Sequence, residues 1–168
     1  RAALGSETID PRPEVLVGEL RDVPAGRSFD AILYIDVLEH IADDRGELDR
    51  AASRLRPGGR LVVLAPAHKW LFTPFDRAVG HHRRYTIRTL RAAGPAGCAL
   101  ERIGYLDAAG LLASLANRLL LRQSLPTRRQ IAFWDSVLVP VSRLLDPLLA
   151  HRVGKSVLAV WTRPSQPS

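Results

Sequence analysis

A chain of 168 residues with 46% hydrophobic content carries enough apolar mass for one ordinary domain with a real core. Its net charge of +7 and pI near 10.6 would suit nucleic acid or a membrane surface. The basic residues are spread along the chain without the aromatic interleaving of a stacking groove, so nucleic-acid modification ranks last among the functions considered. The single cysteine, Cys98, allows no internal disulfide, and C-x-x-C spacings are lacking, from which a reducing, cytoplasmic setting is expected.

The chain opens at Arg1 and contains no methionine, which reads as a fragment without a secretory leader. "PEVLVGEL" (13–20) is a short β-branched run and reads as a first strand. "FDAILYID" (29–36) is apolar on both faces and reads as a buried central strand. Leu48, Ala51, Ala52 and Leu55 then recur at helical spacing, and "RPGG" (56–59) stops that helix. "RLVVLAP" (60–66) is a further buried strand, and strand–helix–strand with this connection predicts a parallel pair and an α/β class. "AHKWLFTPFDRAVGHHRRYT" (67–86) is irregular, aromatic and basic, and leaves the carboxyl end of a strand, where open α/β sheets keep their sites. "TIRTLRAAG" predicts a short helix ending at Gly94, "CALERIGYLD" a strand, and "GKSVLAVWTR" a last strand. Between those two strands lies a helical insert, about 107–152, far longer than the common connection of about 2 to 6 residues. A single domain over 1–163 is expected, with 164–168 a disordered tail.

The stretch "YIDVLEHIADD" (34–44) has an architectural reading. Asp36-x-x-Glu39 and Asp44-x-x-Glu47 both resemble capping boxes, and carboxylates there oppose the positive end of a helix dipole. Glu39/Asp43 and His40/Asp44 stand at i, i+4, but the spacing matches no standard ligand signature, so no metal site is expected.

"FDAILYIDVLEHIADD…L…LRPGGRLVVLAP", together with "GHHRRYT" (80–86), "GKS" (154–156) and "VGEL" (17–20), resembles a class I S-adenosylmethionine-dependent methyltransferase of the type 11/type 23 kind. The resemblance implies a partial Rossmann-like sheet, mostly parallel with an antiparallel last strand and a helical insert before it. It also implies S-adenosyl-L-methionine as cofactor. The family's glycine-rich G-x-G-x-G turn and the acidic residue that holds the cofactor ribose are not found in this sequence, so the fragment is expected to bind cofactor weakly by itself.

Carried over residue by residue, the resemblance places Gly18, Glu19 and Leu20 at the adenine, with the Glu19 carboxylate on its amino group. Ile35, Asp36 and Val37 would line the sulfonium end. His40 could serve as general base, since imidazole titrates near neutral pH, and His81 and Arg84 on the loop above could hold the acceptor. Arg suits a carboxylate or phosphate; the plainer reading is a solvated basic loop with Arg84 anchoring it to Asp76 or to the acidic stretch, and a structural role is expected for at least one of Arg83 and Arg84.

In the insert, Leu111, Leu112, Leu115, Leu119, Phe133, Trp134, Val137, Leu138, Val141, Leu145 and Leu148 fall at helical spacings. Arg118, Arg122, Arg128, Arg129 and Arg143 supply a basic edge, and Pro140 predicts a kink. A lid packed on its own domain is the plainer reading; an apolar or lipid-linked substrate, or peripheral membrane contact, is the sharper one. The function expected is methyl transfer to a small-molecule, glycan-type or lipid-linked acceptor, against a non-catalytic interaction or membrane-docking module.

Overall fold

The computed structural model describes residues 15–116 and 127–165. The expectations for Arg1–Pro13, Glu14, Leu119, Arg118 and Arg122, and for the end of the tail, lie outside the described residues.

Four strands form one sheet in the order β1-β2-β4-β3, with β1 Phe29–Ile35, β2 Leu55–Pro66, β3 Ala99–Leu106 and β4 Ser156–Thr162. β1 pairs parallel with β2, and β4 runs antiparallel to both β2 and β3. β1, β2 and β3 therefore share a direction and their carboxyl ends share an edge. The expected mostly parallel sheet with an antiparallel last strand is what forms.

The core lies where helix α1 (Asp44–Ser53) and helix α3 (Ile87–Ala93) meet the central strands. Leu61, Val63 and Ala65 of β2 and Val157, Ala159 and Trp161 of β4 are buried there, under Leu48, Ala51 and Leu90 of the helices. Alternation with half-buried Val62, Leu64, Leu158 and Val160 gives the sheet one dry face and one partly open face. Helix α3 starts on Thr86, whose hydroxyl accepts from Thr89 N–H, and ends at Gly94. A Cβ on Gly94 would stand 2.6 Å from the Trp161 indole nitrogen, so only glycine lets this turn approach the core tryptophan.

Three expectations are corrected. "PEVLVGEL" is not a strand over its described part: Val15 and Val17 stand exposed, and a short 3-10 turn begins at Leu20. β-branched residues fit a pleated surface, but without a partner ladder they do not make one. "FDAILYID" does form β1, but at the edge of the described sheet, with Leu33 62% and Ile35 46% exposed. "RPGG" does not separate helix from strand. It is a bulge within β2, since Phe29 pairs with Leu55 and Ala31 already with Arg60. Gly58 N–H donates to Arg163 O and Arg163 N–H to Gly59 O, both at 2.9 Å, so the bulge is itself laced to the chain after β4. The Arg163 guanidinium also donates to the carbonyls of Ser53 and Leu55, closing the carboxyl end of α1.

The insert is α4 (Ala108–Ala116) and a second helical run over 128–148: α5 (Arg128–Phe133), a π turn (Trp134–Leu138) and α6 (Val139–Leu148). Pro140 lacks an N–H and its ring crowds the carbonyl four residues back, and the wide π turn immediately before it accommodates both defects. The packing face differs from the apolar one expected. Its buried members on α6 are Ser142 and Asp146, whose side chains take the N–H groups at the start of α4: Asp107 and Ala108 donate to Asp146, Ala109 to Ser142. Phe133, Val137, Val141, Leu144 and Leu148 face outward instead. Among the described residues no helix is long and apolar enough to cross a membrane.

Candidate functional site

β1 and β2 end on the shared edge, and two connections rise from it: the loop 67–86 after β2 and the insert after β3. At the end of β1 the chain turns sharply. Asp36 has φ +51, a left-handed conformation that asparagine and aspartate tolerate better than other side-chain-bearing residues. Its N–H still donates to Leu64 O at 2.9 Å, keeping the turn on β2. Asp36 is thus flanked by half-exposed Ile35 and Val37.

The 3-10 turn Leu38–His40 follows. No side chain caps it, so Asp36-x-x-Glu39 is not the capping box expected; Leu38 and Glu39 turn inward and His40 stays exposed. The cap of α1 falls one residue earlier than expected, on Asp43, which accepts from Gly46 N–H at 3.0 Å. Asp44 is thereby released to accept from the Tyr85 hydroxyl at 2.7 Å and to pair with Arg83 at 2.9 Å. Glu47 accepts from the buried Tyr34 hydroxyl at 2.7 Å. Burial, reinforced by these carboxylates, pushes both phenols up.

Asp76 fixes the loop. It is fully buried at the start of the short helix α2 (Pro74–Ala78), and the signal for it is T-P-x-D, a capping box with proline at the first helical position. Thr73 donates through both its N–H and its hydroxyl at 2.8 Å, and Arg84 through Nε at 2.8 Å and Nη2 at 3.1 Å. His81 Nδ1 lies 2.9 Å away. Burial alone would raise the Asp76 carboxyl, but the donors from Arg84, Thr73 and His81 outweigh it and hold it at about 2. An ionised carboxylate only accepts, so Nδ1 of His81 carries the proton and, in the neutral ring, Nε2 carries the lone pair.

That lone pair faces Glu39, with Nε2 3.7 Å from Oε1. Glu39 is 1% exposed and neither of its carboxylate oxygens has a hydrogen-bond partner. Burial raises its pKa, its own backbone N–H and the two histidines work against that, and the Asp36 charge adds to it. The rings of His40 and His81 meet edge to face at 4.6 Å. His82 N–H donates to Glu39 O at 2.8 Å, pinning the "GHH" segment onto this turn.

The structure thus brings His40 and His81 together beyond Asp36, as the sequence suggests. Arg84 is engaged by Asp76 and Arg83 by Asp44 and by Ala42 O, so both arginines tie the loop down. Gly18, Glu19 and Leu20 lead into the 3-10 turn that precedes β1, with Leu20 bordering a hollow beside Arg50 and Arg54. Gly18 has φ +150, the exposed Glu19 carboxylate is matched by Arg21 at 3.0 Å, and Leu20 packs toward the core. Sequence reasoning missed the burial of Glu39, because a charged residue beside a leucine in a short turn gives no periodicity to read. Two concavities, about 440 Å³ between Asp44, Arg83 and Thr89 and about 220 Å³ between Leu20 and Arg54, are lined by neither Ile35, His40 nor His81.

Residues 7–111 match the model of the methyltransferase domain family. A 39-residue stretch is 49% identical to the ubiquinone biosynthesis O-methyltransferase of Parvibaculum lavamentivorans, covering 23% of this chain and 15% of that protein. Two solved structures share the fold. One is the complex of the Haloferax volcanii Trm112 methyltransferase activator with a candidate methyltransferase, at TM-score 0.51 and 17% identity, covering 91% of this chain and 62% of that one. The other is a candidate sarcosine dimethylglycine methyltransferase of Galdieria sulphuraria, at TM-score 0.52 and 15% identity, covering 88% and 58%. The chain therefore spans less than two thirds of the length of either of these two structures. Its order of strands, its antiparallel last strand and the match over more than half its length place it together with these proteins: the chain belongs to the methyltransferase domain family, with the α/β sheet of class I.

Proposed function

We propose that this chain carries the acceptor side of an S-adenosylmethionine-dependent methyl-transfer site, at the shared strand edge bounded by Ile35, Asp36, Val37, His40 and His81. The observation that supports it best is the turn at Asp36. A carboxylate in left-handed conformation stands between two half-exposed apolar residues at the end of a parallel strand. An apolar wall with one carboxylate fits a cationic thioether, so Ile35, Asp36 and Val37 would hold the sulfonium end and Glu19 would meet the adenine. When bound, the cofactor supplies a methyl on a positively charged sulfur, open to in-line attack by an acceptor lone pair.

The work of this chain is then orientation and proton handling. Asp76 and Arg84 hold the loop, His81 and His40 border the opening, and exposed His40 is the group placed to receive the acceptor proton. Acceptor identity follows from the insert in this reading. Phe133, Val137, Val141, Leu144 and Leu148 form an outward apolar stripe beside the exposed Arg129 and Arg143, which fits an apolar or lipid-linked acceptor and contact with an anionic membrane surface.

The test is calorimetric titration with S-adenosylmethionine of the protein expressed from its full reading frame, comparing wild type with Asp36→Asn. Asn keeps the turn and removes the charge. Loss of affinity at least tenfold with an unchanged melting temperature is the expected result; equal affinity would reduce Asp36 to architecture.

A further inference from the structure

We infer that Glu39, His40 and His81 form a binding site for one divalent cation of the zinc class. Each side chain offers one donor atom, and the three donors lie within 4.8 Å of one another. Zinc bonds to carboxylate oxygen and imidazole nitrogen run about 2.0–2.2 Å, so donors in a tetrahedral shell stand about 3.4 Å apart. The Glu39–His81 separation of 3.7 Å is close to that already. His40 is exposed, and its donor atom stands within 4.8 Å of the other two.

Two independent features point to a ligand rather than to a solvated group of charges. The Glu39 carboxylate is buried, aimed at the His81 ring, and satisfied by no donor at either oxygen. A buried unpaired carboxylate is costly, and a cation removes the cost. His81 is held in the tautomer a metal requires, because Nδ1–H donates to Asp76 and leaves the Nε2 lone pair facing the cluster. A carboxylate behind a ligating imidazole fixes the ring and raises its basicity, and that outer partner is commonly worth about 10–100-fold in metal affinity.

Two imidazoles and one carboxylate suit a borderline cation better than magnesium or calcium, which favour all-oxygen shells. Three protein ligands leave a position open for water or an acceptor oxygen, and a cation there would take over from His40 the task of polarising the acceptor. Occupancy itself does not depend on methyl transfer, so the cation is tested alone, without methyl donor.

The chain, stripped with a chelator, is titrated with zinc chloride against a chromogenic competitor, and with cobalt chloride as a spectroscopic probe of the shell. One zinc per chain and a tetrahedral cobalt spectrum are expected. His40→Ala, which touches an exposed residue, and Glu39→Gln, which keeps the buried shape, should each weaken zinc at least tenfold, Asp76→Asn by about 10–100-fold, and the exposed neighbour His82→Ala not at all. Failure to bind zinc stoichiometrically would overturn the inference. So would equal affinity in His40→Ala and Glu39→Gln, or an equal loss in His82→Ala.

Discussion

The two connections that rise from the shared strand edge are anchored alike and finished differently. Each is tied down by one buried carboxylate: Asp76 gathers Thr73, His81 and Arg84 in the loop, and Asp146 takes the first N–H groups of α4 in the insert. The two meet where His68 Nε2 donates to Gly154 O at 2.9 Å. Above the anchors they diverge. The loop presents imidazoles held in fixed orientation, whereas the insert presents an apolar stripe and turns Ser142 and Asp146 inside. Anchoring by a carboxylate therefore does not decide what a connection displays.

Breaking the anchors should separate the two regions. Asp76→Ala leaves the Arg84 guanidinium with no carboxylate, only the Ala67 carbonyl, and the Thr73 N–H without its acceptor, and should cost about 3–5 kcal/mol in urea unfolding; a loss below about 1 kcal/mol would mean that the loop is held elsewhere. Asp146→Ala removes the acceptor for two backbone N–H groups and should cost about 2 kcal/mol. Its signature should be local, with faster hydrogen exchange of the α4 amides while β2 and β4 stay protected. The smallest effect on stability is expected where the contrast is sharpest. Replacing Leu144 and Leu148, 72% and 80% exposed, by glutamine should move stability by no more than about 0.5 kcal/mol and yet lower co-sedimentation with anionic vesicles. Unchanged vesicle association would leave the stripe as plain surface.

The central strands were legible because "RLVVLAP" and "SVLAVWT" carry a pattern that only a covered strand satisfies, and the Thr86 and Gly94 boundaries of α3 follow from capping chemistry. β1 was legible as a strand but not in its place. Apolar residues at 31–35 report what a strand could bury, while its neighbours decide what it does bury, and β1 has β2 on one side only among the described residues. In the insert the same logic fails in reverse: Ser142 and Asp146 look like surface residues until the first N–H groups of α4, more than thirty positions away, are seen to need acceptors. Of the candidate site, His40 and His81 were named from the resemblance, and the structure sets their rings edge to face. The buried Glu39 between them was not, since its burial is a consequence of the loop folding back through His82 onto its own carbonyl.

The position of β4 sets a condition on how the chain can fold. It is the last strand in sequence and a middle strand in space, between β2 and β3, and among the described residues β3 pairs with β4 alone. Within this described sheet β3 therefore gains its neighbour only once residues 156–162 have emerged and inserted beside it. Pairings of such long sequence separation are slow to close, so refolding of this sheet should be rate-limited by one late insertion, and the period before it is when its unpaired strand edges are most open to association with another chain.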